Sequence, residues 1–394
     1  MIRSCRPVPL SDLRLTLFFT ASLSLTEWDR LGMLERETAL YLALRPHLGG
    51  ISFVTYGDGR DLDYRSRLPG IDIACNRWKL SWPWYWRWLA GVPARWKSGQ
   101  VIFKSNQMPG ADTALALAQR FGKPCIARCG YLHSVAMTLR HGPDSPEARR
   151  ALEREGQVFR GADRVVVTTP LMAETVTRLH QVPGDRLRVI PNYVDVERFA
   201  PASPEERPEG RMARVLFVGR LDAQKDPLLL VRALAGEKAE LWLIGEGPLR
   251  EDLAAEAREL GVACRFFGVV PHAQLPEWMG QADLFVLPSP HEGHPKALLE
   301  AMACGMAVVG RNDAPGVREA IAHEQTGLLC DPTPAGMRSA IRRILDHPEL
   351  KAALGRRARD QAAREFSLAR IVEQELDLLR DLLADRQCFL QKKS

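Results

Sequence analysis

Along this chain, short runs of β-branched and aromatic residues alternate with longer stretches whose apolar residues recur every three or four positions. In the first half the short runs are LTLFFT (15–20), ISFVTY (51–56), IDIAC (71–75), VIFKSN (101–106), PCIARC (124–129), RVVVTT (164–169) and LRVI (187–190). In the second half they are RVLFVG (214–219), ELWLIG (240–245), CRFFG (264–268), ADLFVLP (282–288), AVVG (307–310) and TGLLC (326–330). Continuous apolar runs mark strands covered on both faces, and the helical stretches between them predict parallel sheets. From Thr333 onwards the pattern is helical almost to the end.

The alternation breaks once, at FAPASPEERPEGRMA (199–213), where Pro, Gly and charged residues crowd together as in an interdomain linker. The expected organisation is α/β. A Rossmann-like doubly wound domain over residues 1–198 is followed by the linker at 199–213. A second such domain covers 214–365, and a last helical segment covers 366–394. A length of 394 residues agrees with two domains. Two such domains facing each other would enclose one cleft.

Charge is uneven. Residues 1–193 hold 27 Lys+Arg against 17 Asp+Glu, while the overall excess is only +6. A basic first half could face phosphates or an anionic lipid surface, and an inert solvated surface accounts for it equally well. The eight cysteines form no CxxC pair and no zinc spacing, and several lie in strand-like runs, as free thiols of a reducing compartment do. No run of 18 apolar residues predicts a spanning helix. RLTLFFTASLSL reads as a first buried strand rather than a signal peptide, with residues 1–12 as a loose lead-in.

Candidate chemistry in the second half falls just after strands. In VGRLDAQKD, Gly219 lets the chain turn and Arg220 and Lys225 stand near a helix start, an arrangement that suits phosphate, although an Arg and a Lys in such a loop are usually just solvated. In LIGEGP, Gly245 and Gly247 allow close backbone approach to a ligand, although a plain tight turn would use them too. HEGHPKALLEAMACG (291–305) reads as a loop entering a helix. Glu292 lies in the loop, Gly293, His294, Pro295 and Lys296 lead in, and Glu300 sits inside the helix among Ala, Leu and Met. A carboxylate on an apolar helix needs a partner; a ribose diol is one, and the helix dipole is another.

Taken together, these segments resemble the donor-binding domain of GT-B glycosyltransferases, and most closely glycosyltransferase family 4, the retaining nucleotide-sugar enzymes. The likeness runs through IPNYVDVERF (190–199), VGRLDAQKD, GEGPLREDL and the stretch from FFGVVPHAQ to GMAVV, in family order. Glu292 and Glu300 match its E-x7-E motif. The resemblance implies that Arg220 and Lys225 neutralise the departing diphosphate and that Glu300 holds the ribose. Glu292 and the backbone from Gly293 to Lys296 would contact sugar and phosphates, and the base would lie near Phe267, Gly268 and Val269. No metal and no other cofactor is implied, because fixed cations stabilise the leaving group.

The first half follows the family loosely. Its usual Gly-rich loop after the first strand is replaced by TASLSLTEWDRLG, in which only Gly32 is a glycine. The expected front-domain histidine has no counterpart in IARCG, so His133 is the candidate substitute, with a plain helix-start histidine as the alternative. Lys104, Asn106 and Gln107 are candidates for the acceptor side, with plain loop residues as the alternative. The Trp-rich stretch 77–97, interleaved with Arg and Lys, suits either a membrane interface or a core helix. No nucleic-acid module accompanies it. Asp61 and Asp63 form a D-x-D, which does not suit a metal site in this architecture.

The function expected is a retaining, metal-independent transfer of sugar from a nucleotide-diphosphate donor to a glycan or lipid-linked acceptor. It would serve cell-surface polysaccharide assembly, in the cytoplasm or at the inner face of its membrane. The competing readings are a sugar-nucleotide epimerase of the same shape, which needs no acceptor, and a nucleotide-binding scaffold.

Overall fold

The structure, a computed structural model, describes residues 9–91, 99–202 and 210–391. Most of the lead-in, residues 92–97 of the Trp-rich stretch, 203–209 of the expected linker and the last three residues lie outside them.

All thirteen expected strands form. In the first unit β1 (Leu13–Phe18), β2 (Gly50–Val54), β3 (Ile71–Ala74), β4 (Gln100–Ser105), β5 (Cys125–Cys129), β6 (Arg164–Val167) and β7 (Leu187–Val189) make one sheet in the order β3-β2-β1-β4-β5-β6-β7. In the second, β8 (Ala213–Val218), β9 (Ala239–Ile244), β10 (Ala263–Gly268), β11 (Leu284–Leu287), β12 (Val308–Arg311) and β13 (Leu328–Cys330) follow the order β10-β9-β8-β11-β12-β13. Every pairing is parallel, as in Thr16 beside both Ser52 and Phe103. The apolar runs explain this: β2, β4 and β6 are buried almost throughout, so both sheet faces carry helices. Strand order reverses between β1 and β4 in one unit and between β8 and β11 in the other. In open α/β sheets, ligands bind beyond the carboxyl ends of strands at such a point.

The compact units are Met1–Ile190 with Ile371–Ser394, and Pro191–Arg370. The division therefore falls earlier than the expected linker at 199. The reason is local pairing: Val194 N–H donates to the Phe366 carbonyl, and Arg359 donates to the carbonyls of Val196 and Phe199. The helix Leu368–Gln391 carries the chain from the second unit back into the first.

There its Glu375 meets Lys104 of β4, with Nζ 2.5 Å from Oε1 and both side chains shielded from solvent. Burial pushes the Lys104 ammonium down, and the Glu375 carboxylate opposes that shift. Lys104 is thus a structural tie rather than an acceptor-side residue. Arg164 similarly pairs with Asp385.

Asp61 is also structural. Fully buried, it accepts from Thr26 N, Thr26 Oγ1 and Thr55 Oγ1, at 2.5–3.1 Å. No group of three metal-ligating side chains forms among the described residues. No helix among them is long and apolar enough to cross a membrane. Cys75, Cys125, Cys129, Cys264, Cys304, Cys330 and Cys388 are free, and burial pushes the Cys264, Cys304 and Cys330 thiols up to about 12.

The Trp-rich helix Trp82–Gly91 divides its aromatics. Tyr85, Leu89 and Ala90 enter the core, Trp86 and Trp88 pack partly against it, and Trp82 and Trp84 face outward.

Candidate active site

The second unit gathers its motifs at the reversal point between β8 and β11. The loop after β8 carries Lys225 and the loop after β11 carries Glu292; their side chains meet with Nζ 2.5 Å from Oε1. Two adjacent parallel strands project both loops from the same sheet end, which is why residues far apart in sequence face each other. Asp222 shapes the first loop by accepting from Lys225 N–H, and Asp226 follows in the left-handed region at φ 48, a conformation Asp tolerates. Arg220 is exposed and folds over its own loop, to Asp222 at 2.8 Å and Gln224 at 3.0 Å.

Glycines make this end of the sheet possible. Gly245 has φ 134, and its N–H donates to the Gly268 carbonyl at 2.7 Å. A Cβ at Gly245 would lie 2.0 Å from the Gly219 carbonyl oxygen, and one at Gly247 would lie 2.3 Å from that of Leu221. These glycines therefore let three loops stack edge to edge. Gly268, with φ 67, ends β10, and Val269 beyond it is half exposed.

The helix Lys296–Ala303 begins at Pro295, and no side chain caps its first turn. Its leading N–H groups are the donors that an anion can use. Lys296 lies over the Tyr193 ring at 5.9 Å. His294 is buried: Asn192 N–H donates to its Nδ1 at 3.1 Å, Asn192 Nδ2 donates to its carbonyl at 2.7 Å, and its ring packs edge-on to Phe366. The His294 ring thus anchors the loop, which leaves its backbone rather than its side chain for a ligand.

Glu300 has its partner inside the protein. Its carboxylate is 2% exposed and bonds Nε2 of the buried His272 at 2.8 Å, so it does not lie open to solvent. The cause is the helix face: residues 298–303 are all buried in the unit's core.

Sequence reasoning missed three supports. Arg311, at the end of β12, forks onto Asp313 at 2.7 and 2.8 Å and reaches Asp226 at 3.0 Å. That pair holds the Asp313 carboxyl below its ordinary range, whereas burial pushes Asp226 up against the pull of Arg311. A Cβ on Gly316 would sit 2.1 Å from the Gly293 carbonyl oxygen, so this glycine seats the Glu292–Gly293 loop. The signal was NDAPG (312–316), another Pro-Gly turn after a strand. His272 carried none, because only packing brings it to Glu300.

In the first unit the reversal point holds a cavity of about 670 Å³. His133, the first residue of the helix His133–His141, lines it. Asn106 and Gln107 are taken up locally: Asn106 Nδ2 reaches Thr20 Oγ1 at 3.3 Å, and Gln107 Oε1 accepts from Gly130 N–H at 2.8 Å. In place of a Gly-rich loop, Ser22 itself adopts φ 69.

Comparison with known proteins agrees with this geometry. Residues 201–361 match the glycosyl transferases group 1, and residues 41–198 match glycosyltransferase family 4. A D-inositol 3-phosphate glycosyltransferase of Thermobispora bispora is 33% identical over 345 residues, covering 80% of this chain and 76% of that protein. A glycogen synthase of Mycobacterium tuberculosis is 31% identical over 265 residues, 65% of this chain and 63% of its own length. The chain spans 65% of a second such inositol-phosphate enzyme, from Catenulispora acidiphila. Among solved structures, Anabaena HepE in complex with UDP and glucose superposes with a TM-score of 0.75 at 16% identity, over 93% of this chain and 99% of that one. A sucrose-phosphate synthase of Thermosynechococcus elongatus gives 0.74 at 22% identity, over 95% and 100%. These two likenesses establish the GT-B fold.

Proposed function

This chain belongs to the group 1, family 4 glycosyltransferases, and from that premise we propose that it moves a sugar from a nucleotide-diphosphate donor to a glycan or lipid-linked acceptor, with retention and without a metal. The observation that carries this reading is the meeting of Lys225 and Glu292 across the β8–β11 reversal point, beside an uncapped helix start. Lys225 and Arg220 supply the positive charge on which a departing diphosphate is stabilised, the work a divalent ion does in other transferases. Glu292 and the backbone of Gly293 to Lys296 receive the donor sugar and its phosphates, and the turn at Gly268 and Val269 receives the base. Gly219, Gly245 and Gly247 keep the loops close enough for that approach. Glu300 takes the ribose in this reading, with His272 steering its carboxylate, so donor entry has to uncover a group that is 2% exposed in this structure. His133 and its cavity belong to the acceptor.

Exposed Trp78 and Trp84, each with an arginine against its ring, support contact with an anionic membrane face. That setting suits a lipid-linked acceptor, cell-surface polysaccharide assembly and the cytoplasmic side of the membrane.

The test is thermal stabilisation by UDP, GDP, ADP and CMP, UDP first because HepE was solved with it. A nucleotide at about a hundred times its Kd adds about 2.7 kcal/mol. One diphosphate should raise the melting temperature of the native chain and not that of an Arg220→Ala/Lys225→Ala variant. Transfer from the matching sugar nucleotide should persist in EDTA. Stabilisation by none of them, or epimerised sugar nucleotide formed without acceptor, would sink the reading.

A further inference from the structure

The amino ends of the first unit's strands carry chemistry that sugar transfer does not use. A cavity of about 440 Å³ opens where β1, β2 and β3 begin, and Arg14, Arg45, Arg65 and Asp72 line it with Gly50 and Gly70. The cavity that holds His133 lies past the carboxyl ends of the same strands, so the two are at opposite ends of the sheet.

Glycines seat two of the arginines. Register places Arg14 of β1 beside Gly50 of β2, and Ser52 of β2 beside Asp72 of β3. Because Gly50 has no side chain, Arg14 passes over it to Asp72, with Nη2 2.7 Å from Oδ2. A Cβ on Gly50 would stand 3.0 Å from Arg14 Cζ. Arg45 follows the helix Leu34–Leu44 and donates from Nε to the Gly70 carbonyl at 2.7 Å and from Nη1 to that of Leu48 at 2.9 Å. Gly70 has φ 74, and a Cβ there would lie 2.8 Å from Arg45 Nε. Both guanidiniums are therefore fixed before a ligand arrives, and each keeps nitrogens with no partner among the described residues. Arg65 is exposed, and its side chain bonds to none of the described residues.

Three guanidiniums against one carboxylate leave two positive charges uncompensated in this lining. A guanidinium does not lose its proton in a protein, so the charge stays at every working pH. An apolar ligand would leave it unanswered, and a cation would be repelled. A compact dianion cancels it, and the planar fork of a guanidinium matches two oxygens of one phosphate. We infer that this cavity binds a phosphate dianion, either inorganic phosphate or the phosphate of a small monoester. Arg14 and Arg45 are its fixed donors and Arg65 its third cation. The inference does not rest on the transferase reading, since Lys225 and Glu292 belong to the other unit.

Phosphorus-31 NMR titration of the full chain tests it. The probes are inorganic phosphate and glucose 6-phosphate at pH 8, where both are dianions, with ionic strength held constant by sodium chloride. The same titration on an Arg220→Ala/Lys225→Ala variant excludes phosphate held at the second unit's loop. At least one probe should show line broadening that saturates at millimolar concentration and persists in that variant. Arg65→Ala should weaken binding about tenfold, the loss of one charged hydrogen-bond partner, while its melting temperature holds because the side chain has no internal bond to lose. Arg65→Glu should abolish binding. Arg14→Gln should weaken it by a similar factor, which places the phosphate in the cavity rather than on Arg65 alone.

Equal affinity for the two probes makes inorganic phosphate a sufficient ligand, and tighter binding of the ester extends the site to its organic part; either result upholds the site. No saturable broadening with either probe, binding lost in the Arg220→Ala/Lys225→Ala variant, or undiminished binding in Arg65→Ala or Arg14→Gln would each overturn it.

Discussion

Lys225 and Glu292, 67 positions apart in sequence, face each other with Nζ 2.5 Å from Oε1. Each hangs from the end of one of two neighbouring parallel strands, so the sheet converts two remote motifs into one charged pair. Replacing Lys225 by Ala removes the cation and leaves a shielded carboxylate. Transfer should fall about a hundred- to a thousandfold, the usual loss for a preorganised electrostatic group. Single-turnover rates with the cognate sugar nucleotide measure it. A rate within a few-fold of native would remove Lys225 from the chemistry.

Gly245 and Gly316 have no room for a methyl group. Their Cβ atoms would lie 2.0 and 2.1 Å from the carbonyl oxygens of Gly219 and Gly293. Either Gly→Ala change should cost on the order of 3 kcal/mol, from overpacking and, at Gly245, from a strained φ. Gly219→Ala should be milder, since its new atom would meet side chains rather than backbone, the Phe217 ring at 3.1 Å and Lys225 Cγ at 3.8 Å. Urea melts of the three variants rank them, and a harmless Gly245→Ala would contradict the packing argument.

His272 is the hydrogen-bond partner of a carboxylate in the core of the second unit. His272→Ala should destabilise the chain by about 1–3 kcal/mol, because Glu300 loses a bond where water does not readily replace it. If Glu300 also takes the ribose, the same variant should bind nucleoside diphosphate more weakly. Calorimetry of nucleotide binding separates the two effects: an unchanged affinity in a destabilised variant confines His272 to structure.

The Lys104–Glu375 pair ties the last helix to β4 away from solvent. Lys104→Met alone strands a buried carboxylate and should cost about 3–5 kcal/mol. The double variant Lys104→Met/Glu375→Leu should recover most of that, since an apolar pair needs no desolvation of charge. Denaturant midpoints decide, and a double variant no better than the single would show that the ionic bond itself is required.

Asp283 gives a pH signature. Burial works against its charge, but Arg214 N–H, the Arg211 guanidinium and Lys351 outweigh that and hold the carboxyl below its ordinary range. A carboxyl that stays ionised at lower pH in the native state than in the unfolded chain adds stability above about pH 4. That stability is lost as pH falls through the native value. Asp283→Asn should therefore lower the melting temperature at pH 7, and the gap to native should close as pH drops below about 4. A gap that stays constant with pH would mean that the charge of Asp283 contributes nothing.

The sequence by itself determined the thirteen strands, the parallel sheets and the loops that carry the second unit's motifs. Periodicity and punctuation record local backbone preference and two-sided burial, and both are written residue by residue. It also placed Arg220, Lys225, Glu292 and the glycines at strand ends, because a βα loop announces itself through Gly, Pro and charge. What only the tertiary structure decided were the partners. Lys104 read as a strand-end candidate for the acceptor side, yet a helix some 270 positions later covers it. Glu300 read as open to a ligand, yet packing brings His272 against it, and His294 read as a ligand contact but anchors its own loop to Asn192. The Trp-rich stretch looked uniform, and the fold sorted it into Tyr85 in the core and Trp82 over a cavity. Burial and pairing depend on which elements arrive beside a residue, and no local pattern contains that.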